Sequence, residues 1–124
     1  MMRWAALITG GVAGTVARYA LSGFVYRFAG SEFPYGTLAV NLAGCLAIGF
    51  LSSLSEEKFL LGPNARLLLM AGFCGAFTTF STFMLETGNL IRAGEMFRAF
   101  ANVAVSVLAG FVLFRLGIFL AELF

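Results

Sequence analysis

Two long uncharged apolar runs constrain the fold more than any other feature of this sequence. The segment GTLAVNLAGCLAIGFLSSL, residues 36–54, contains no charged residue, and a second run stays uncharged from Leu67 to Leu85. A helix needs about 20 residues to cross the ~30 Å hydrocarbon core of a bilayer, because it rises about 1.5 Å per residue. With two further apolar segments, the sequence predicts an all-α integral membrane protein whose four transmembrane helices form one domain over residues 1–124. The predicted spans are 4–24, 36–54, 67–91 and 99–121.

Composition and charge exclude several classes of function. Hydrophobic residues make up 60% of the chain and charged residues 11%, and the mean hydropathy is +0.95, which lies outside the range of soluble domains. The net charge is only +2 and the basic residues are scattered, so no nucleic-acid partner is predicted. The chain has no histidine and no convergent nucleophile–base set, so an enzyme is not expected. Cys45 and Cys74 lie in apolar runs and are predicted to be packing residues.

The positive charges give no preferred orientation in the membrane. With four spans, both termini lie on one side, and the basic residues divide almost equally between the two faces. Because the positive-inside rule acts through a bias in these charges, we expect insertion in both orientations and a dual-topology, antiparallel homodimer in the bilayer. The face with the termini has Arg3, Lys58, Arg66 and Arg115, the other has Arg27, Arg92 and Arg98, and Arg18 is ambiguous.

Small residues recur at helical spacing in the first two spans. Gly10 and Gly14 form a GxxxG pattern, and Ala39, Ala43 and Ala47 repeat every four residues. Such patterns are typical of close helix packing in membranes rather than of a ligand site.

Polar residues in the third span follow helical spacing. Thr79, Thr82 and Glu86 stand at i, i+3 and i+7 and are expected to share one helix face, with Phe80 and Phe83 beside them. One interpretation is a permeation path with a hydroxyl track and an aromatic track. The alternative is that the hydroxyls bond to carbonyls of their own helix and that the phenylalanines face lipid. The sequence favours neither strongly.

The stretch GFCGAFTT predicts a break in the third helix at residues 75–79. Two glycines and two successive threonines have poor helix propensity. A break at membrane depth is tolerated where the freed backbone groups line a cavity or bind something. Freed carbonyls would suit a cation such as Na⁺, whereas freed N–H groups would suit an anion.

Polar residues in the other spans add candidates. Asn41 is the only amide in the uncharged second span, and it is either an interhelical hydrogen-bonding residue or a donor that faces a pore. Asn102, Ser106 and Gly110 repeat every four residues in the fourth span. Arg18, in the string GGVAGTVARY, is a candidate for an aqueous vestibule that attracts anions.

Three of these strings together resemble the Fluc (CrcB-type) fluoride channel family. They are GGVAGTVARY, GTLAVNLAGCLAIG and GFCGAFTTFSTF, in the first, second and third spans. The resemblance covers the whole chain in length and span count. It implies a fluoride-selective channel that gives passive fluoride export, with two pores in each antiparallel dimer and a structural Na⁺ at the dimer centre. It also implies a multi-pass protein of the bacterial or archaeal cytoplasmic membrane.

The resemblance also assigns roles by motif position. It places the Na⁺-binding backbone carbonyls at Gly75 and Thr78. It implies Phe80 and Phe83 as pore phenylalanines and Asn41 as the pore amide. The polar track that it implies comprises Thr37, Glu86 and Ser106. A tyrosine often found in that track is aligned with Asn102, so the wider end of the track departs from the family pattern.

Glu86 is the least explained residue of this assignment, because a carboxylate beside an anion path is electrostatically unfavourable. Protonation, pairing, and a role in keeping the site from trapping the ion stay open for it. Two other functions also stay open: a small proton-coupled multidrug transporter, which would need an acid in the first span, and an assembly subunit whose polar stripes only support packing.

Overall fold

A computed structural model describes all residues from 1 to 124 and contains only helices. We label them α1 (Met2–Ala29), α2 (Tyr35–Glu56), α3 (63–77), α4 (Phe80–Arg92) and α5 (Met96–Glu122). The third predicted span corresponds to α3 and α4, which are separated by two residues in extended conformation. The predicted all-helical architecture with a broken third helix is therefore confirmed.

The helix ends follow from local sequence. Gly30, which follows α1, has a φ of 81°, and Gly94, between α4 and α5, has a φ of 78°. These left-handed conformations favour glycine because it has no Cβ. Pro34 precedes α2, and Pro63 occupies the first turn of α3, where the missing proline N–H has no helical partner to lose.

Three stretches of the chain are long and apolar enough to span a bilayer: Tyr35–Glu56, Pro63–Arg92 and Met96–Glu122. The chain is thus a multi-pass membrane protein. Helix α1 has 28 residues, enough to cross a bilayer at about 1.5 Å per residue, but it is less apolar. It also packs along α3 and α2. A membrane crossing by α1 and the bounds of all four spans stay predictions.

Glycines bring α1 and α3 into close contact. Gly10 and Gly14 are buried on one face of α1. A Cβ at Gly10 would collide with the Leu68 carbonyl oxygen and lie 2.9 Å from the Phe73 nitrogen, and one at Gly14 would collide with the Phe73 carbonyl oxygen. The predicted packing role of the GxxxG pattern is confirmed.

Glycines also set the crossing of α2 and α5. A Cβ at Gly49 would meet the Phe114 carbonyl oxygen, and one at Gly117 would meet the Leu46 carbonyl oxygen and lie 2.8 Å from the Phe50 nitrogen. The predicted alanines of α2, in contrast, are only half-buried. The close approach of α2 to α5 therefore depends on glycines more than on the alanines of α2.

Few large side chains are buried, as expected for a small protein in lipid. Val40, Phe77, Phe83 and Leu90 are the large apolar residues of the interior. The exposed apolar residues of α1 include Trp4, Ile8, Val12 and Val16, which repeat every four residues. Cys74 is buried and Cys45 half-buried, which agrees with a packing role for both.

Helix α3 has a winding that the sequence did not predict. It begins with an α-helical turn at Pro63–Arg66, continues as a π-helix at Leu67–Cys74 and ends with a short α-helical turn at Gly75–Phe77. A π-helix has wider i→i+5 hydrogen bonding and is frequently found at functional sites. The irregular winding here leads directly into the helix break.

Candidate functional site at the helix break

The break is held by a paired hydrogen bond between α2 and the backbone of Thr79. The side-chain Nδ2 of Asn41 donates to the Thr79 carbonyl oxygen at 3.0 Å, and the Thr79 N–H donates to Asn41 Oδ1 at 2.8 Å. Thr78 has a ψ of 157° and Thr79 a φ of −149°, both outside the helical range. One amide side chain thus satisfies the donor and the acceptor of a residue that lies in neither helix.

The pairing with Asn41 changes the hydrogen bonding of two backbone carbonyls in the third span. In a continuous helix the Thr79 N–H would donate to Gly75 and the Thr82 N–H to Thr78. Here the Thr79 N–H donates to Asn41, and the Thr82 N–H donates to the Thr79 side-chain oxygen at 3.2 Å. The carbonyls of Gly75 and Thr78 therefore lack their usual helical donors.

Thr79 caps α4 instead of belonging to its face. Its side chain accepts the hydrogen bond from the Thr82 N–H, as a threonine N-cap does. The expectation that Thr79, Thr82 and Glu86 share one face of a helix is wrong for Thr79, because its backbone is extended. Thr82 and Glu86 both lie on α4, one turn apart.

A cavity of about 430 Å³ adjoins the break. Seven of the candidate site residues line it, together with apolar side chains such as Ile48 and Met70, and no charged residue does. The seven are Asn41, Gly75, Thr78, Thr79, Phe80, Phe83 and Ser106. The fold therefore brings Asn41 of α2, the residues of the helix break and Ser106 of α5 to one place.

The cavity contains a hydroxyl that has no partner. Ser106 Oγ is buried and makes no hydrogen bond. A buried hydroxyl without a partner costs free energy, about 1–3 kcal/mol, so such groups usually indicate a ligand or a water. Asn41 also has a donor to spare, because only one of its two amide N–H groups is used in bonding Thr79.

Two aromatic rings form part of the cavity wall. The Phe80 and Phe83 ring centroids lie 5.9 Å apart, with 49° between the ring planes. Phe83 is buried, with 7% of its surface exposed, whereas Phe80 is 73% exposed. The cavity is therefore walled by protein at Phe83 and uncovered at Phe80 in a single chain.

A second polar cluster lies about one helical turn from the cavity at the break. Its members include Thr37, one turn before Asn41 on α2, and Glu86, one turn after Phe83 on α4. Thr37 Oγ1 donates to Glu86 Oε1 at 2.6 Å, and the Tyr26 hydroxyl donates to Glu86 Oε2 at 3.1 Å. Thr37 is buried. Neither Thr37, Thr82 nor Glu86 lines the cavity at the break. Tyr26 is a member of this site that sequence reasoning did not find.

Some hydroxyls follow the alternative interpretation and bond to their own helix. Thr78 Oγ1 donates to the Cys74 carbonyl oxygen at 2.9 Å, and Thr87 Oγ1 donates to that of Phe83 at 2.7 Å. The Thr78 and Thr87 hydroxyls are therefore used within their own part of the chain, and at Thr78 only the backbone carbonyl lacks a hydrogen-bond partner.

Comparison with known proteins identifies the family. The profile of a protein family described as "CrcB-like protein, Camphor Resistance (CrcB)" matches residues 5–118. This chain belongs to the CrcB-like family. The resemblance inferred from the three sequence strings is thereby confirmed.

Curated relatives of this CrcB-like chain match over nearly their full length. A protein of Chlorobium phaeobacteroides is 48% identical over 98% of this chain and 96% of its own length. A protein of Chlorobaculum tepidum is 52% identical over 92% of this chain and 90% of its own length. A protein of Maridesulfovibrio salexigens is 41% identical over 99% of this chain and 98% of its own length. Each of the three is named "Fluoride-specific ion channel FluC". These relatives are ion channels by name rather than enzymes.

Two candidate residues of the CrcB-like chain, Arg18 and Asn102, neither line the cavity at the break nor belong to the Thr37–Glu86–Tyr26 cluster. Arg18 is half-buried on α1 and makes no hydrogen bond or ion pair. Asn102, 1% exposed, donates to Thr87 Oγ1 at 2.9 Å. Since Thr87 in turn donates to Phe83, Asn102 fastens α5 to the helix that carries a cavity ring. Sequence reasoning did not single out Thr87.

Proposed function

We propose that this CrcB-like chain forms a fluoride-selective channel that gives passive fluoride export across the cytoplasmic membrane of its cell. The observation that carries this proposal is the uncharged cavity of about 430 Å³ beside the helix break, lined by Asn41, Phe83 and Ser106. The names of relatives more than 40% identical over most of the chain support the choice of fluoride.

The donors in the cavity suit a small anion. Fluoride is strongly hydrated, so a pore must replace its water with hydrogen-bond donors and positive partial charge. Asn41 has a spare N–H group, and the Ser106 hydroxyl has no partner. The edges of Phe80 and Phe83 add positive partial charge, because an aromatic ring is negative only on its faces. Together these neutral groups can coordinate an anion, and no positively charged side chain is needed.

The absence of charged residues from the cavity lining suits conduction as well as binding. An ion held by a fixed cation in a low-dielectric site would leave slowly. Neutral donors bind more weakly, which allows an ion to enter and leave. The same argument favours a channel over a tight binding site.

We further propose that two copies associate in antiparallel orientation and form two pores. The face of the broken helix is uncovered in a single chain: a Cβ at Gly75 would meet only the Met70 carbonyl oxygen, at 3.9 Å, and Gly75, Phe80, Ser81 and Met84 are exposed. A second copy would complete the cavity wall at Phe80. The near-equal charge distribution between the two membrane faces supports insertion in both orientations.

The residues at the break fit a structural Na⁺. A hard cation prefers oxygen ligands, and the carbonyls of Gly75 and Thr78 lack their usual helical donors. Two copies that meet at this face would offer two such carbonyls each. When bound, Na⁺ would supply positive charge that neutralises these carbonyl dipoles and links the two copies.

Beyond the cavity, we propose that Thr37 and Glu86 continue the path toward one membrane surface and that Thr82 lies along it on the same helix as Glu86. Both Glu86 oxygens accept hydrogen bonds from hydroxyls. Of protonation, pairing and a role against trapping the ion, these bonds support pairing. Thr79 contributes as the cap that begins α4, and Arg18 is proposed to attract anions to a vestibule, since it has no acidic partner.

The proposal is tested by fluoride efflux from proteoliposomes, measured with a fluoride electrode. The purified protein should release fluoride and not chloride, with no pH gradient applied. A proton-coupled transporter would need an acid in the first span, and α1 contains none. Folded protein that releases no fluoride, or that releases chloride equally fast, would contradict the channel proposal.

A further inference from the structure

Tyr26 connects α1 to the only acidic residue of the third span. Its hydroxyl donates to Glu86 Oε2, while Thr37 donates to the other oxygen. The 2.6 Å bond from Thr37 has the length typical of a hydroxyl that donates to a carboxylate. The two donors come from different helices, so they fix both oxygens of Glu86 at once.

This cluster lies between two cavities. Asn41 and Phe83 line the cavity at the break. Thr37 lies about one turn before Asn41 on α2, and Glu86 lies about one turn after Phe83 on α4. On the far side, a cavity of about 370 Å³ is lined by Tyr26, Glu86 and residues that include Glu32 and Asn89. Along α2 and α4, Thr37 and Glu86 therefore lie between residues that line the cavity of the helix break and residues at the end of the helices that line the second cavity.

Close packing fixes the ring of Tyr26. A Cβ at Gly36 would lie 2.6 Å from Tyr26 Cδ2 and 2.8 Å from the Ser22 carbonyl oxygen. Gly36, the second residue of α2, thus leaves the space that the ring occupies. The hydroxyl can reach Glu86 because the glycine lets α1 and α2 approach.

We infer that Tyr26 is a positioning residue for fluoride conduction, which acts by holding the Glu86 carboxylate in one orientation between the two cavities. The inference rests on the proposed channel function. A carboxylate repels fluoride, and the repulsion grows as the distance shortens. Two fixed hydroxyl donors keep the charge of Glu86 in place and partly offset it. Without the Tyr26 hydroxyl, Glu86 Oε2 loses its donor, and the carboxylate can turn into the proposed fluoride path.

The inference predicts a loss of flux that depends on Glu86. Tyr26→Phe removes only the hydroxyl and is expected to lower fluoride flux about fivefold, as the loss of one hydrogen bond of ordinary net strength suggests. In a Glu86→Gln background there is no charge to orient, so adding Tyr26→Phe should change flux less than twofold. A residue that merely supported the fold would lower flux by the same factor in both backgrounds.

The experiment is a double-mutant cycle on fluoride efflux from proteoliposomes, using Tyr26→Phe, Glu86→Gln, the double variant and the wild type. Tyr19→Phe is the matched control, because Tyr19 is on the same helix, 84% exposed, and its hydroxyl makes no hydrogen bond. If Tyr26→Phe does not yield folded protein, Tyr26→Leu, which also lacks the hydroxyl and leaves Gly36 in place, takes its place in the same cycle.

The outcomes separate this inference from the channel proposal. Fluoride flux by the wild type together with unchanged flux in Tyr26→Phe, or an equal loss in both Glu86 backgrounds, would overturn the role of Tyr26 alone. Absence of flux in the wild type would instead overturn the channel function on which it rests. A fivefold loss that disappears with Glu86→Gln, with Tyr19→Phe at the wild-type level, supports the inference.

Discussion

Asn41 is the residue on which the helix break depends. It bonds both backbone groups of Thr79, keeps one amide N–H unused and lines the cavity. Of the two interpretations offered by the sequence, the interhelical hydrogen bond is present in the structure, and a donor that faces a pore stays a prediction. The Asn41 amide is suited to both tasks because it has two donor hydrogens and one acceptor oxygen.

Replacing the amide by a carboxylate should stop fluoride conduction. Asn41→Asp keeps an acceptor for the Thr79 N–H but removes both donors and adds negative charge. A unit charge about 4 Å from the ion costs about 4 kcal/mol at an effective dielectric constant near 20, so we expect fluoride efflux to fall at least about 100-fold. Asn64→Asp is the control, because Asn64 is exposed at the start of α3. Efflux within a factor of about three of the wild type in Asn41→Asp would contradict the proposed role.

The buried ring of Phe83 is expected to matter through its edge rather than its volume. Phe83→Ile keeps an apolar side chain in the cavity wall but removes the positive ring edge, so fluoride flux should fall at least about tenfold while the protein still folds. Phe111→Ile, at a residue that is 64% exposed on α5, should leave flux unchanged. Intact flux in Phe83→Ile, measured by the fluoride electrode, would remove the ring from the mechanism.

At the scale of helices, part of the structure could be predicted from the sequence. The uncharged runs 36–54 and 67–85 predicted helices, and two glycines followed by two threonines predicted the break, because both signals are local. The bond between Asn41 and Thr79 joins residues 38 apart, and that between Tyr26 and Glu86 joins residues 60 apart. Such partners depend on helix packing, which local spacing does not encode. The π-helical winding of Leu67–Cys74 likewise has no local sequence signature.

Helix packing at Gly117 should be sensitive to any added side chain. Gly117→Val would force a side chain against the Leu46 carbonyl and the Phe50 nitrogen of α2. Overpacking of this kind costs about 1–3 kcal/mol or more, so we expect a lower melting temperature in detergent or no folded protein. Gly23→Val is the matched control, because a Cβ at Gly23 on α1 meets nothing within 4 Å. Equal melting temperatures for the two variants would show that the α2–α5 contact is looser than described.

At the scale of the whole molecule, the proposed dimer and its Na⁺ make one joint prediction. A cation that binds only the folded dimer stabilises it by a free energy that rises with the logarithm of the cation concentration once that exceeds the dissociation constant. The melting temperature in detergent should therefore rise as Na⁺ replaces K⁺ at constant ionic strength. As a control, the same exchange should leave the melting temperature of a monomeric membrane protein unchanged. A melting temperature that is independent of Na⁺ would contradict the sodium site, while leaving the cavity and its donors untouched.

The central claim is that the chain conducts fluoride selectively, and the reversal potential in a planar bilayer tests it most directly. With a tenfold fluoride gradient, equal chloride and equal pH on both sides, a fluoride-selective channel should reverse at about 59 mV, with the sign set by the fluoride gradient. Moving the tenfold gradient to chloride should bring the reversal potential to zero. A reversal potential that follows chloride or pH instead of fluoride would contradict the account.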